Sequence, residues 1–188
     1  MDPKTYLDFL STIEKCKCHT RHSWTSTGRH ESVAEHSWRL AVMALLCEDE
    51  YPDLDITKVI QMCLIHDFGE AITGDIPSFY KTEDHEQQEQ LAIESLLSKL
   101  PPNTASKFAS LYAEMNELQT PESKLYKALD NMEAVLSHNE APLSTWIARE
   151  YEENLIYGEQ NAAWSEWTRE LRQQLKKDSI QKIENSRS

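Results

Sequence analysis

Two histidines and two aspartates stand out because they occupy positions that should be apolar. His36 lies three residues after Val33 and four before Leu40, on the stripe a helix would bury. His66-Asp67 closes the apolar run Ile60, Cys63, Leu64, Ile65, and Glu70 follows His66 by four, so the two share a helix face. Asp130 sits between Leu129 and Met132 in a stretch that also holds Leu125, Val135 and Leu136, with Glu133 on nearly the same face. An ionisable group in such surroundings must be paired, metal-bound or neutralised. Taken singly, His36 reads as a satisfied core histidine and Asp130 as the partner of Lys124 or Lys127. Taken together, two imidazoles and two carboxylates on three helices match a mononuclear divalent-metal site, completed by water or substrate.

The elements that must position these groups are helical. Ser32-Val33-Ala34-Glu35 has the form of a capping box, and the stripe Val33, Leu40, Met43, Cys47 carries a helix to about Glu50. After Pro52, Asp55 or Thr57 caps a helix with Ile56, Val59, Ile60, Cys63 and Leu64, running to about Glu70 and stopping near Gly74. Ile76 to Lys81 reads as a loop. Helices are expected over about 83–100, 105–118 and 121–139, separated by Pro101-Pro102 and Pro121. Two more hold Trp146, Ile147, Glu150, Leu155 and then Trp164, Trp167, Leu171, Leu175, with a polar tail from about Asp178. No stretch alternates convincingly, so the expected fold is all-α, a compact bundle of roughly seven helices. The tryptophans Trp146, Trp164 and Trp167 are expected in the core or in a subunit interface.

The 188 residues fit one domain, with no repeat or linker to divide it. Four glycines are few for a β-sandwich or a glycine-rich nucleotide fold. A net charge of −13 argues against coating a nucleic-acid polymer or an anionic membrane, though a local basic pocket can still hold a small anion. No apolar run approaches a membrane span, and the start MDPKTYLDFL is not that of a signal peptide, so the expected location is cytoplasmic and the four cysteines are thiols. Cys16, Cys18, His19 and His22 crowd within seven residues, too tight for a zinc finger, and read as a helix end entering a substrate loop.

The constellation resembles the HD-domain phosphohydrolase superfamily. The segment His66-Asp67-Phe68-Gly69-Glu70-Ala71-Ile72-Thr73-Gly74-Asp75-Ile76-Pro77 is similar to the HD-x-x-E-x-x-x-G-D-x-P signature of its 5′-deoxynucleotidase branch, and the likeness covers about residues 5–140. The resemblance implies a single HD domain with its core over about 5–140, to which the helical spacing adds an extension over about 143–177 and a polar tail over 178–188. It implies a homodimer that uses one divalent metal ion (Mn²⁺, Co²⁺, Fe²⁺, Ni²⁺ or Zn²⁺) to release phosphate from nucleoside 5′-monophosphates. His36, His66, Asp67 and Asp130 would be the metal ligands, and Glu70 and Asp75 the catalytic carboxylates. Arg21 and Lys81 would bind phosphate, Trp24 would wall off the nucleoside, and Ser32 would touch the substrate while capping its helix. Glu133 reads as support for a ligand or as half of an ion pair. Dinuclear relatives carry extra histidines between the HD pair and the last aspartate. Here that interval holds His85 alone, in a polar helix start, which favours one metal. Three alternatives stay open: hydrolysis of another small phosphate ester, a dinuclear oxygenase, and a nucleotide-binding module without turnover.

Overall fold

Asp2 accepts hydrogen bonds from the backbone N–H groups of Lys4 and Thr5 and, with Pro3 at the first helical position, starts α1 (Pro3–Ile13). Although the strong periodic signal begins only at Ser32, the helix end expected near Cys16 belongs to this helix. Its short apolar stripe buries only Phe9, while Tyr6, Leu7 and Leu10 stay exposed. The computed structural model describes residues 1–186.

After α1 the chain forms a small antiparallel hairpin, β1 (Thr20–Trp24) and β2 (His30–Ser32). The expectation of no strand is corrected here. Both strands are polar and too short to show a period of two. The pairing runs Thr20 to Ser32 and Trp24 to His30, so β1 spends four residues where β2 spends two. That irregularity lets the consecutive side chains Arg21, His22 and Ser23 all line one cleft.

The rest is helical: α2 (Val33–Leu45), α3 (Ile56–Ile65), α4 (Glu70–Thr73), α5 (Glu83–Leu97), α6 (Pro102–Glu117), α7 (Pro121–Glu140), α8 (Glu150–Ile156), α9 (Glu159–Ala162) and α10 (Glu166–Asn185). The fold is all-α, and seven of these helices have ten residues or more. The capping box at Ser32 forms as expected, and Thr82 with His85 makes a second one at α5. No helix among the described residues is long and apolar enough to cross a membrane.

Helix α7 is the central strut, packed against α2, α3 and α10. Leu40, Met62, Leu96, Leu125, Leu129 and Met132 are fully buried around it. Trp164 stacks on Tyr51, and Trp167 meets the same ring edge-on, so both tryptophans pack within the chain. Helix α10 continues past Asp178 to Asn185. Its polar composition hides a regular buried side of Thr168, Arg172, Leu175, Ser179 and Ile183, and Ser179 donates a 2.7 Å hydrogen bond to Asn139 on α7.

The expected single helix through Glu70 breaks after Ile65. Phe68, Glu70 and Ala71 bond to carbonyls three residues back, which tightens the chain across His66-Asp67 and re-aims both side chains. Gly69 permits the close approach of α5, since a Cβ there would lie 2.8 Å from Glu89 Cγ.

Gly158 joins α8 to α9 at φ +75°, and a Cβ on it would sit 2.5 Å from Asn131 Cβ on α7. Gly158→Ala therefore combines left-handed backbone strain with overpacking. It is expected to cost about 3 kcal/mol, a fall in Tm on the order of 10 °C for a chain of this size, read by thermal denaturation.

Candidate metal centre and cleft

His36 from α2, His66 and Asp67 from the tight turn after α3, and Asp130 from α7 meet at one point. His36 Nε2 lies 3.2 Å from His66 Nε2 and 3.2 Å from Asp130 Oδ1. His66 Nε2 lies 3.0 Å from Asp67 Oδ2 and 3.6 Å from Asp130 Oδ1, and His36 Nε2 is 3.9 Å from Asp67 Oδ2. The other ring nitrogens fix the tautomers. His66 Nδ1 is 2.9 Å from the Cys63 carbonyl oxygen, which only accepts, so Nδ1 carries the proton. His36 Nδ1 donates to Glu133 Oε2. In the neutral rings both Nε2 atoms then present lone pairs, and two carboxylate oxygens join them. Four acceptors facing one another repel unless a cation lies between them. The spacing suits one: ligands about 2.1 Å from a cation are about 3.0 Å apart in an octahedral shell and about 3.4 Å in a tetrahedral one.

The ligand positions are held from behind. Glu133 is fully buried and accepts from Arg39 Nε at 2.7 Å and from Ser137 Oγ at 3.2 Å, as well as from His36. Burial opposes its charge, but His36, Arg21 and Arg39 hold its carboxyl down at about 2. Both readings of Glu133 are therefore met in one residue. The same is true of Asp130: Oδ2 takes Lys127 Nζ at 2.7 Å while Oδ1 faces the cluster. Carboxylate–histidine pairs of this kind fix ring orientation and raise ligand basicity. Glu133→Gln keeps the shape and removes the charge, and is expected to weaken metal affinity about 10–100-fold, measured by competition with a chelator.

A cleft of about 620 Å³ opens over His66, Asp67 and Asp130. Arg21 reaches it from β1, 3.5 Å from Asp67 Oδ2 and 3.6 Å from Glu31 Oε2, while its Nε is buried with no hydrogen-bond partner. Lys81 reaches it from the loop before α5, paired with Glu89 at 2.6 Å. Glu70 is 4% exposed, and its Oε2 has no partner. Burial, then Asp67 and Asp75, push Glu70 up to about 10. Burial also raises Asp75 above the usual carboxylate range, against the pull of Arg21.

Eight of the ten expected site residues thus gather at this centre. His36 sits beneath the cleft with its Nε2 facing the cluster, and the other seven line it. Two do not. Trp24 stacks on His30 with ring centroids 3.9 Å apart, and Ser32 spends its hydroxyl on the capping box beside a separate shallow hollow. Neither lines the cleft: Ser32 pairs with Thr20 at the open end of the hairpin and Trp24 with His30 at its turn end, on either side of the bulged stretch. The tight Cys-His cluster does not converge, since Cys16 Sγ turns to the Asp67 carbonyl and His22 to Glu150.

Sequence reasoning overlooked Arg39, which clamps Glu133, and His138, which lines the cleft. His138 had a signal: Asp130, Ala134 and His138 recur every four residues on α7, and all three line the cleft. Glu150 was read only as part of its helical segment and Asn154 not at all, because only folding brings α8 to β1.

A helical scaffold that aims two imidazoles and two carboxylates at one point defines a metal-binding protein of the His/Asp type. More particularly, the chain belongs to the HD-domain family, whose profile matches residues 13–172. A 5′-deoxynucleotidase HDDC2 from Xenopus laevis is 35% identical over 138 residues, 71% of this chain and 67% of that one. A protein from Magnetospirillum magnetotacticum described as a predicted metal-dependent phosphohydrolase superposes with a TM-score of 0.78 at 26% identity, covering 95% of this chain and 93% of that one. The cyanophage S-2L HD phosphohydrolase DatZ, solved with dA and one catalytic Zn²⁺, shares the fold with a TM-score of 0.61 at 19% identity, covering 91% and 96%.

Proposed function

We propose that the protein is a metal-dependent phosphomonoesterase that hydrolyses nucleoside 5′-monophosphates, deoxyribonucleotides foremost, to nucleoside and phosphate. The observation that carries this reading is the cluster of four acceptors at the floor of a cleft whose walls hold Arg21, Lys81, Glu70 and Asp75. The 5′-deoxynucleotidase relatives and the dA and Zn²⁺ bound to DatZ support it.

His36, His66, Asp67 and Asp130 would hold one divalent transition cation, for which imidazole and carboxylate donors are suited. Such an ion offsets the charge of a phosphate dianion and lowers the pKa of water. Arg21 is pre-oriented by Glu31 and Asp67 and retains hydrogen-bonding capacity for phosphate oxygens. Lys81 adds a point charge at the same mouth. Glu70 and Asp75 carry the proton transfers, one accepting from the attacking water and the other donating to the departing 5′-oxygen. Arg21→Ala is expected to keep the metal and raise KM about 10–100-fold, the loss of a charged hydrogen bond, with metal content and steady-state kinetics read on the same preparation.

The deciding experiment measures phosphate release from 5′-, 3′- and cyclic nucleotides, ribo and deoxy, by chelated protein reloaded separately with Mn²⁺, Co²⁺ and Zn²⁺. Metal-dependent release from 5′-monophosphates, strongest for deoxy forms, is expected. Tight metal binding with no release from any nucleotide would overturn the substrate assignment.

A further inference from the structure

The cleft is several times larger than a phosphate group needs, and its lining includes a second set of ionisable residues besides the four-acceptor cluster. Glu150, the first residue of α8, is buried to 2% exposure yet charged. Its Oε2 accepts from the Ile147 backbone N–H at 2.7 Å. Its Oε1 lies 2.8 Å from His22 Nε2 on β1 and 3.2 Å from His138 Nε2 on α7. Three separate elements therefore meet on one carboxylate, and all three residues line the cleft. His138 is anchored further by Asn154, 2.8 Å from its Nδ1, and by Trp146, whose indole donates to the His138 carbonyl.

His22 is the least enclosed of the three, with a side chain 26% exposed. Its Nε2–H donates to Glu150, and Phe79 meets the ring edge-on, which fixes the plane of the imidazole. Among the described residues Nδ1 has no hydrogen-bond partner, so a fixed ring offers an unused polar atom to the cleft. The bond to Glu150 also raises the pKa of His22, which favours Nδ1 as a donor. His22 adjoins Arg21 and lines the same cleft, so it lies within reach of a substrate whose phosphate engages Arg21.

We propose that Glu150, from the C-terminal segment, is a positioning residue that holds His22 so that its Nδ1–H donates to an uncharged acceptor on the nucleoside part of the substrate. A sugar hydroxyl and a base carbonyl or ring nitrogen share that chemistry. The assignment rests on the nucleotidase reading above and gives its cleft a second recognition point.

The test compares metal-loaded wild type, His22→Ala and Glu150→Gln. Substrates are the four deoxynucleoside 5′-monophosphates, their 2′,3′-dideoxy counterparts, and methyl phosphate, which has no nucleoside. The ratio of kcat/KM for nucleotide over methyl phosphate is expected to fall at least tenfold in both variants, through KM. A penalty that disappears with the dideoxy substrates identifies the 3′-hydroxyl as the acceptor, and a penalty that differs among bases identifies the base. A ratio within twofold of wild type in both variants overturns the proposal, and a lowered Tm with that same ratio would show that Glu150 only docks α8. His22→Ala decides alone if Glu150→Gln does not fold. Wild-type turnover of methyl phosphate without turnover of any nucleotide would sink the nucleotidase reading itself and this assignment with it.

Discussion

His66→Ala protein is expected to purify folded, nearly free of metal, and slower by about a thousandfold or more, the several kcal/mol a catalytic cation supplies. His66 sits where the cluster is tightest, 3.0 Å from Asp67 Oδ2 and 3.2 Å from His36 Nε2. Removing it leaves three donors and opens the shell on the side of the cleft. The fold should survive. His66 contributes one hydrogen bond to the Cys63 carbonyl, whereas α3 is held by Val59, Met62 and Cys63 in the core. Metal content per chain, by elemental analysis, and circular dichroism separate the two effects. Full turnover by a metal-free His66→Ala chain would end the mechanism, and so would full metal occupancy.

Glu70→Gln carries the second large effect. Gln keeps the size of the side chain but neither gives nor takes a proton, so kcat should fall about 10²–10⁴-fold while metal content stays near that of the parent. Its thermal stability should hold or rise. The native site disfavours a charge on Glu70, since burial, Asp67 and Asp75 all push its pKa up, and an amide removes that conflict. A cation at the ligand cluster offsets Asp67 and brings Glu70 back toward ionisation, so the variant isolates proton transfer from electrostatic strain. A Glu70→Gln chain with unchanged kcat would reassign the proton transfers to Asp75.

The four converging side chains were legible because they break a pattern. His36 and Asp130 interrupt apolar stripes at positions a helix buries, and His66-Asp67 ends one, so burial without a partner could be inferred before any contact was known. The long helices were legible through their apolar stripes, the capping box at Ser32 and the punctuation of Pro101-Pro102 and Pro121, whereas the cap at Thr82 and the start at Pro102 came from the structure. Failures fell where local signal is weak. The strand β1 carries no alternation, α1 has a short stripe, and the last two turns of α10 bury small or isolated side chains such as Ser179 and Ile183. That Arg21, His22 and Ser23 line the cleft and Trp24 does not was hidden, because a two-residue irregularity in β1 decides which hairpin side chains turn to it, and no residue type announces it.

By itself, the sequence determined the all-α class, the order of the main helices, and the four donors with Glu70, Asp75, Arg21 and Lys81 around them. The class, the helices and the four donors follow from periodicity, capping and the cost of burying charge, all of which act within a few residues, whereas Glu70, Asp75, Arg21 and Lys81 were implied by the family resemblance. Tertiary structure alone decided that Glu133 and Arg39 brace His36, that Lys127 rather than Lys124 takes Asp130, and that Glu150 crosses from α8 to His22 and His138. Those pairings join residues about a hundred positions apart or depend on which face of α7 the packing turns inward. Such choices are made by the whole core at once, because a buried charge takes whichever opposite charge the packed helices deliver to it.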